Sequence, residues 1–134
     1  MNLQDIQEAH NRLKEANVIV KVPFAFSQIL SDMTQSSIYL KQCNVQNTGA
    51  FKIRGAFNKI ALLSTKERSQ GVIAASAGNH AQGVAFSARH FSIPAVIVMP
   101  ENTPLMKVNG TRQYGAEVVL KGANYDEAFA YATQ

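Results

Sequence analysis

The chain has 134 residues, 46% of them apolar and 16% charged, which suits a single globular unit with a real core. Its formal charge of +4 comes from 13 basic and 9 acidic residues scattered along the sequence, so the basic runs of a nucleic-acid footprint are missing. Cys43 is the sole cysteine, which excludes an internal disulfide or a thiolate zinc cluster and fits a reducing cytoplasm.

The opening stretch, "MNLQDIQEAHNRLKEA", has neither a basic leader nor an uninterrupted apolar run. Leu3, Ile6, His10 and Leu13 fall near helical spacing and predict a surface helix. No apolar run approaches the roughly 18 residues of a membrane span. "VPFAFSQIL" begins with a proline and reads as a short helix, and "SIYLKQ" alternates in the manner of a strand. Ile53, Ala56, Phe57, Ile60 and Leu63 then follow the stripe of a helix that buries one face.

From Gly71 onward strands and helices alternate. "GVIAAS" is a short, buried strand pattern. Asn79 to Phe91 predicts a helix with Ala81, Val84, Ala85 and Ala88 inward, small enough for close approach to a sheet. "PAVIVMP" is the next strand, and Thr103 with Pro104 reads as the N-cap and first residue of a helix that ends before Gly115. "AEVVLKG" is a further strand, and Asn124 with Glu127 resembles a capping box for a last helix. The fold class is therefore α/β, an open parallel sheet with flanking helices in three αβα layers. The chain stops at "AFAYATQ" within a helical pattern and without a cap, as expected of a sequence that continues.

Two features bear on chemistry. In "TGAFKIRGAFNKI", Lys52 stands where a loop enters a helix. Such a lysine is ordinarily a solvated surface residue. The alternative is an amine kept partly neutral by the helix's positive end, the charge of Arg54 and burial, and lysines so tuned form Schiff bases with carbonyl compounds. The second feature is "SAGNHAQG", Ser76 to Gly83, a tight turn at the carboxyl end of a strand that opens a helix. Its backbone N–H groups aim at the crevice where open α/β sheets bind ligands, and an anion is the natural guest. It carries neither the G-x-G-x-x-G nor the G-K-[ST] of nucleotide loops. Ser76 and His80 lack the G-x-S-x-G elbow of a hydrolase, so His80 reads as packing or orienting the turn. His10, His80 and His90 show no metal spacing.

Together, "TGAFKIRGAFNKI", "GVIAASAGNHAQGVAFSA" with Asn79 placed 27 residues after Lys52, "VIVMPENTPLMKV" and "GAEVVLKG" closely resemble the threonine dehydratases. These are pyridoxal-phosphate enzymes of the tryptophan-synthase β-like fold, fold type II. The resemblance implies that Lys52 carries pyridoxal 5'-phosphate as a Schiff base and that Phe51 packs beside the cofactor. It implies that the Asn79 amide donates to the cofactor's phenolic oxygen, and that Ser76, Ala77, Gly78, Asn79 and His80 grip the substrate carboxylate. The implied reaction is β-elimination: the substrate amine displaces Lys52, the freed amine takes the Cα proton, and the β-hydroxyl leaves. L-threonine would give 2-oxobutanoate and ammonia, and L-serine would give pyruvate.

The sequence departs from that family in two places, with Ala50 where a serine is common and Cys43 where a glutamate is common. Family members are also longer. The further portion supplies the glycine-rich phosphate loop, the partner of the pyridine nitrogen and most of the large domain. Residues 1–45 are then expected to belong to the large domain, and 46–134 to form a small α/β domain, incomplete at its C-terminus, of a truncated fold. On this view "SIYLKQ" has lost its neighbouring strands. The expected partners are a small amino-acid substrate and, in full-length relatives, further copies of the chain, with neither nucleic acid nor membrane. A different reading is a catalytically inactive α/β fragment that acts at most as an association module. A third is a sibling enzyme acting on serine or hydroxyaspartate through the same lysine and turn.

Overall fold

A computed structural model describes residues 2–134. Helix α1 (Leu3–Glu15) starts at Asn2, whose side chain accepts from the Asp5 N–H at 2.9 Å while the Asp5 carboxylate accepts from the Asn2 N–H at 2.7 Å. This reciprocal cap satisfies two otherwise open donors. Leu13 is the buried residue of α1 and meets Val18 and Phe57.

The next segment differs from the sequence reading. A strand β1 (Phe24–Phe26) precedes helix α2 (Gln28–Thr34), and β2 (Tyr39–Lys41) follows it. The helix expected from Pro23 begins only at Gln28, because the Ser27 hydroxyl accepts from the Leu30 N–H at 3.4 Å and sets the cap there. Nor is "SIYLKQ" without a neighbour: β1 and β2 pair antiparallel, Phe24 opposite Lys41. The Tyr39 ring stacks on Phe24 at 5.4 Å and meets the edge of Phe26, the cross-strand contacts that stabilise a short ribbon.

A 3-10 turn at Cys43–Val45 leads to Gln46, buried at 4% exposure. Its amide holds the segment after α1 from both sides. Gln46 Oε1 accepts from the Val20 N–H at 3.0 Å and Nε2 donates to the Val20 carbonyl at 2.7 Å. Asn47 Nδ2 donates to the Val18 carbonyl at 3.1 Å.

The remainder follows the expected alternation: α3 (Lys52–Ala61), α4 (Thr65–Gln70), β3 (Val72–Ala75), α5 (Asn79–His90), β4 (Ala95–Met99), α6 (Leu105–Arg112), β5 (Glu117–Leu120) and α7 (Tyr125–Ala132). The three strands are parallel in the order β3-β4-β5, with Val72 opposite Ala95 and Val96 opposite Glu117. Ala95, Ile97 and Met99 project from one face of β4 into a cluster with Ala81, Val84, Ala85 and Ala88 of α5. Val98 has the opposite parity and is also buried, on the face where α7 lies against β3 and β4 and buries Ala128. Helices thus cover both faces, and each fully buried aliphatic side chain contributes about 1.5–3 kcal/mol.

Caps account for the smaller deviations. Helix α4, not foreseen, rests on a capping box between Ser64 and Glu67. The Glu67 carboxyl is held below its ordinary range by hydrogen bonds from the Ser64 hydroxyl and backbone. Thr103 does not cap α6. Its N–H closes a turn to the Pro100 carbonyl at 3.0 Å, extended Pro104 takes the cap position, and Thr103 Oγ1 is buried without a hydrogen-bond partner. At α7, Asn124 accepts from the Glu127 N–H at 3.1 Å, but the Glu127 carboxylate answers to the Ala123 N–H at 2.9 Å and not to that of Asn124. Among the described residues no helix is long and apolar enough to cross a membrane.

Candidate active site at two helix N-termini

Gly83 sets the geometry. A Cβ at this buried position would stand 3.3 Å from the Ala56 Cβ and the Lys52 carbonyl oxygen, and 3.4 Å from the Ile53 nitrogen. A side chain at this position would push α5 a few tenths of an ångström away from the first turn of α3 or force its neighbours to yield, so glycine suits this close approach. The close contact brings the start of α3, with Lys52, alongside the first turns of α5, which Asn79 opens. The expectation that small α5 residues serve approach to the sheet covers Ala81, Val84, Ala85 and Ala88, whereas Gly83 serves a helix.

Neither of these helices has a side-chain cap: Phe51 and Gly78 occupy the cap positions without a side-chain hydrogen bond. Helices α1, α2, α4 and α7 each have one, while α6 shares the lack. The first-turn N–H groups of α5 are therefore left to an outside acceptor, at the positive end of its dipole. The preceding turn is ordered by the sheet. The Ser76 N–H donates to the Val98 carbonyl at 3.0 Å, and the Gly78 N–H donates to Ser76 Oγ at 3.4 Å. Ser76, Ala77 and Gly78 are half-buried, and Asn79 and His80 are exposed.

Lys52 is exposed, with Nζ 5.6 Å from the ring centre of Phe51, itself 60% exposed. Two expected influences on the amine are not supplied by the described residues. Burial is absent, and Arg54 sits about 200° further round α3, where it lines a cavity with α1. Lys52 does act electrostatically on the glycine turn. The His80 imidazole is held below the ordinary histidine range, first by desolvation and second by the Lys52 charge. Beside His80 a cavity of about 400 Å³ opens between α3, α4, β3 and α5, reaching Gly55, Lys59 and Ala74. Lys59 and Ala74 carry no local motif, so the sequence offered no signal for them.

Nearby, Ala50 is buried, and Thr48 Oγ1 is buried with no hydrogen-bond partner. Cys43 is half-buried in the 3-10 turn. Among the described residues no group of three His, Cys, Asp or Glu side chains could hold a metal ion.

A parallel α/β sheet with a lysine-headed helix and a glycine-containing turn at neighbouring helix N-termini places the chain among the α/β proteins that offer an anion site at a strand's carboxyl end. The profile of the pyridoxal-phosphate dependent enzymes matches residues 16–134, and the chain belongs to that family. It is 55% identical over 132 residues to an L-threonine ammonia-lyase of Thermotoga maritima, covering 98% of this chain and 32% of that protein. Among solved structures it resembles maize serine racemase, with a TM-score of 0.91 and 34% identity over 98% of this chain and 40% of that one. It likewise resembles the processed threonine deaminase isoform 2 of Solanum lycopersicum, with a TM-score of 0.84 and 36% identity over 98% of this chain and 37% of that one. The chain spans about a third of the length of the curated relatives it matches.

The residues present fit the family's cofactor. Pyridoxal phosphate needs a primary amine for its aldehyde, an apolar surface beside its ring and donors for its oxygens. Lys52, the exposed Phe51 ring and the exposed Asn79 amide are groups of those three kinds on neighbouring helix ends.

Proposed function

We propose that this chain is the lysine-bearing part of a pyridoxal-phosphate dependent lyase that eliminates water from L-threonine to an enamine, which water then hydrolyses to 2-oxobutanoate and ammonia. The observation that carries the reading is the pairing of Lys52 with the uncapped Ser76 to His80 turn through the Gly83 contact. The identity to a protein named L-threonine ammonia-lyase over almost the whole chain supports the substrate. When bound, the cofactor supplies an electron sink for charge developing at the substrate's Cα.

The chain's own residues have distinct tasks in this reading. Lys52 Nζ anchors the cofactor and, once released, holds the proton taken from Cα. The open N–H groups at the start of α5 bind and orient the substrate carboxylate, as a helix N-terminus suits an anion. Asn79 would donate from its side-chain amide to the cofactor's ring oxygen, and Phe51 would pack beside the cofactor. His80, whose protonation is disfavoured first by desolvation and second by the Lys52 charge, has in its neutral form one ring nitrogen that accepts a hydrogen bond. L-serine, one methyl smaller, fits the same scheme and yields pyruvate.

A second reading has its own observation. Phe24 at 70%, Ile29 at 74% and Met33 at 76% exposure form an unusual amount of uncovered apolar surface on β1 and α2. This favours a chain that associates with further protein and is inactive alone.

One experiment separates the readings. The purified chain is mixed with pyridoxal phosphate, reduced with borohydride and mapped by peptide mass, and a parallel sample receives L-threonine for keto-acid detection. A label on Lys52, with 2-oxobutanoate formation that Lys52→Ala abolishes, is the expected result. Label without keto acid supports the association reading, and a chain with no label on Lys52 refutes the cofactor assignment.

A further inference from the structure

On the side of α3 turned away from Lys52 lies a second cavity, of about 450 Å³. Its wall is drawn from separate parts of the chain: His10 and Lys14 of α1, Lys21 of the following connector, Lys41 of β2 and Arg54 of α3. The rest is Asn17 and three aliphatic residues of the same connector, with no carboxylate and no ring besides the His10 imidazole. His10 and Lys14 are four residues apart and so share one helix face.

The walls are fixed independently of any ligand. Arg12 Nη1 donates to Asn58 Oδ1, tying α1 to α3 one turn beyond Arg54. The buried Gln46 amide holds Val20, a lining residue, by both its N–H and its carbonyl. Asn17 adopts a left-handed conformation, φ 52°, that turns the chain sharply after α1.

Four positive charges, those of Lys14, Lys21, Lys41 and Arg54, line one cavity with no lining acid, so they repel one another and raise the local positive potential. An anion relieves that repulsion. The planar donor fork of arginine and the ammonium groups of lysine are the side chains that recognise phosphate oxygens. With no Phe, Tyr or Trp ring for a base to stack on, the charged groups themselves are what the site reads. We propose that this cavity binds a small anion carrying two phosphate groups, separately from the amine and turn of the candidate active site.

The test is calorimetric titration of the 134-residue chain with inorganic pyrophosphate at constant ionic strength. The expected result is one saturable site per chain, at least tenfold weaker in the double variant Lys14→Gln/Lys41→Gln and in Lys21→Glu, with unchanged circular dichroism. These three lysines are exposed, so their replacement leaves the core intact. Lys52→Ala is expected to keep the affinity, and its loss there would move the anion to the other side of α3 and overturn the proposal. Heat that never saturates, affinity equal in all variants, or a signal that sulfate reproduces in full at matched ionic strength also overturns it. Fructose 1,6-bisphosphate in a parallel titration distinguishes the sources: competition with pyrophosphate at equal or tighter affinity assigns an organic bisphosphate, and weaker binding assigns the inorganic anion.

Discussion

At His80, desolvation and the Lys52 ammonium act in the same direction, both against the protonated imidazole. Because the folded value lies below the unfolded one of about 6.5, the unfolded chain binds more protons between the two. Stability then rises with pH across that window, is complete above the unfolded value and is lost as pH falls through the folded one. Urea unfolding at pH 7.5 and pH 5 should therefore show a larger loss for the wild-type chain than for His80→Gln. In Lys52→Ala the imidazole should titrate at higher pH by NMR, and an unmoved titration would show that the amine and the turn are not neighbours. Lys52 and the Ser76 to Gly83 turn could be singled out in the sequence because a lysine at a helix start and a glycine turn after a strand are local patterns, while the roles proposed for them rest on the family resemblance. Their proximity was not, since it depends on the missing side chain of Gly83 meeting the backbone of α3 from a distant part of the chain.

Single contacts decide how the elements sit. Gly83→Val forces a branched side chain against the Lys52 carbonyl and Ala56, where even a Cβ is tight. It should cost about 1–3 kcal/mol in denaturant unfolding, and weaken the influence of Lys52 on the His80 titration. Gln46→Leu leaves the Val20 N–H and carbonyl without their partner and should cost about 1–3 kcal/mol in the same assay. Elements with a strong period or a continuous apolar run, such as α3, α5 and β4, could be read directly. Phe24–Phe26 could not, because three residues exposed throughout carry no buried side to alternate with. Ser64 with Glu67 three residues later was a readable cap that went unread, since the six-residue helix it starts buries nothing and has no apolar stripe. Thr103 before Pro104 carried the right residue types, but the turn to Pro100 moved the helix start one position on.

On the scale of the molecule, the core is one layer of small α5 residues between α3 and a short sheet, joined through Phe57 and Phe91 to the cluster under α1. Ile97, with no exposure, stands at its centre. Ile97→Ala should lower unfolding stability by about 2–5 kcal/mol, measured by the urea midpoint. The basic cavity could not be foreseen at this scale, as its charges come from segments that are ordinary one at a time. The sheet also has a consequence for handling the protein. Among the described residues strand β3 pairs only with β4 and holds Ile73 56% exposed, so its outer rim offers unclaimed backbone donors and acceptors next to a greasy side chain. Such a rim is a template for another chain. Concentrated samples should cloud through it, and a lysine at position 73 should keep them clear.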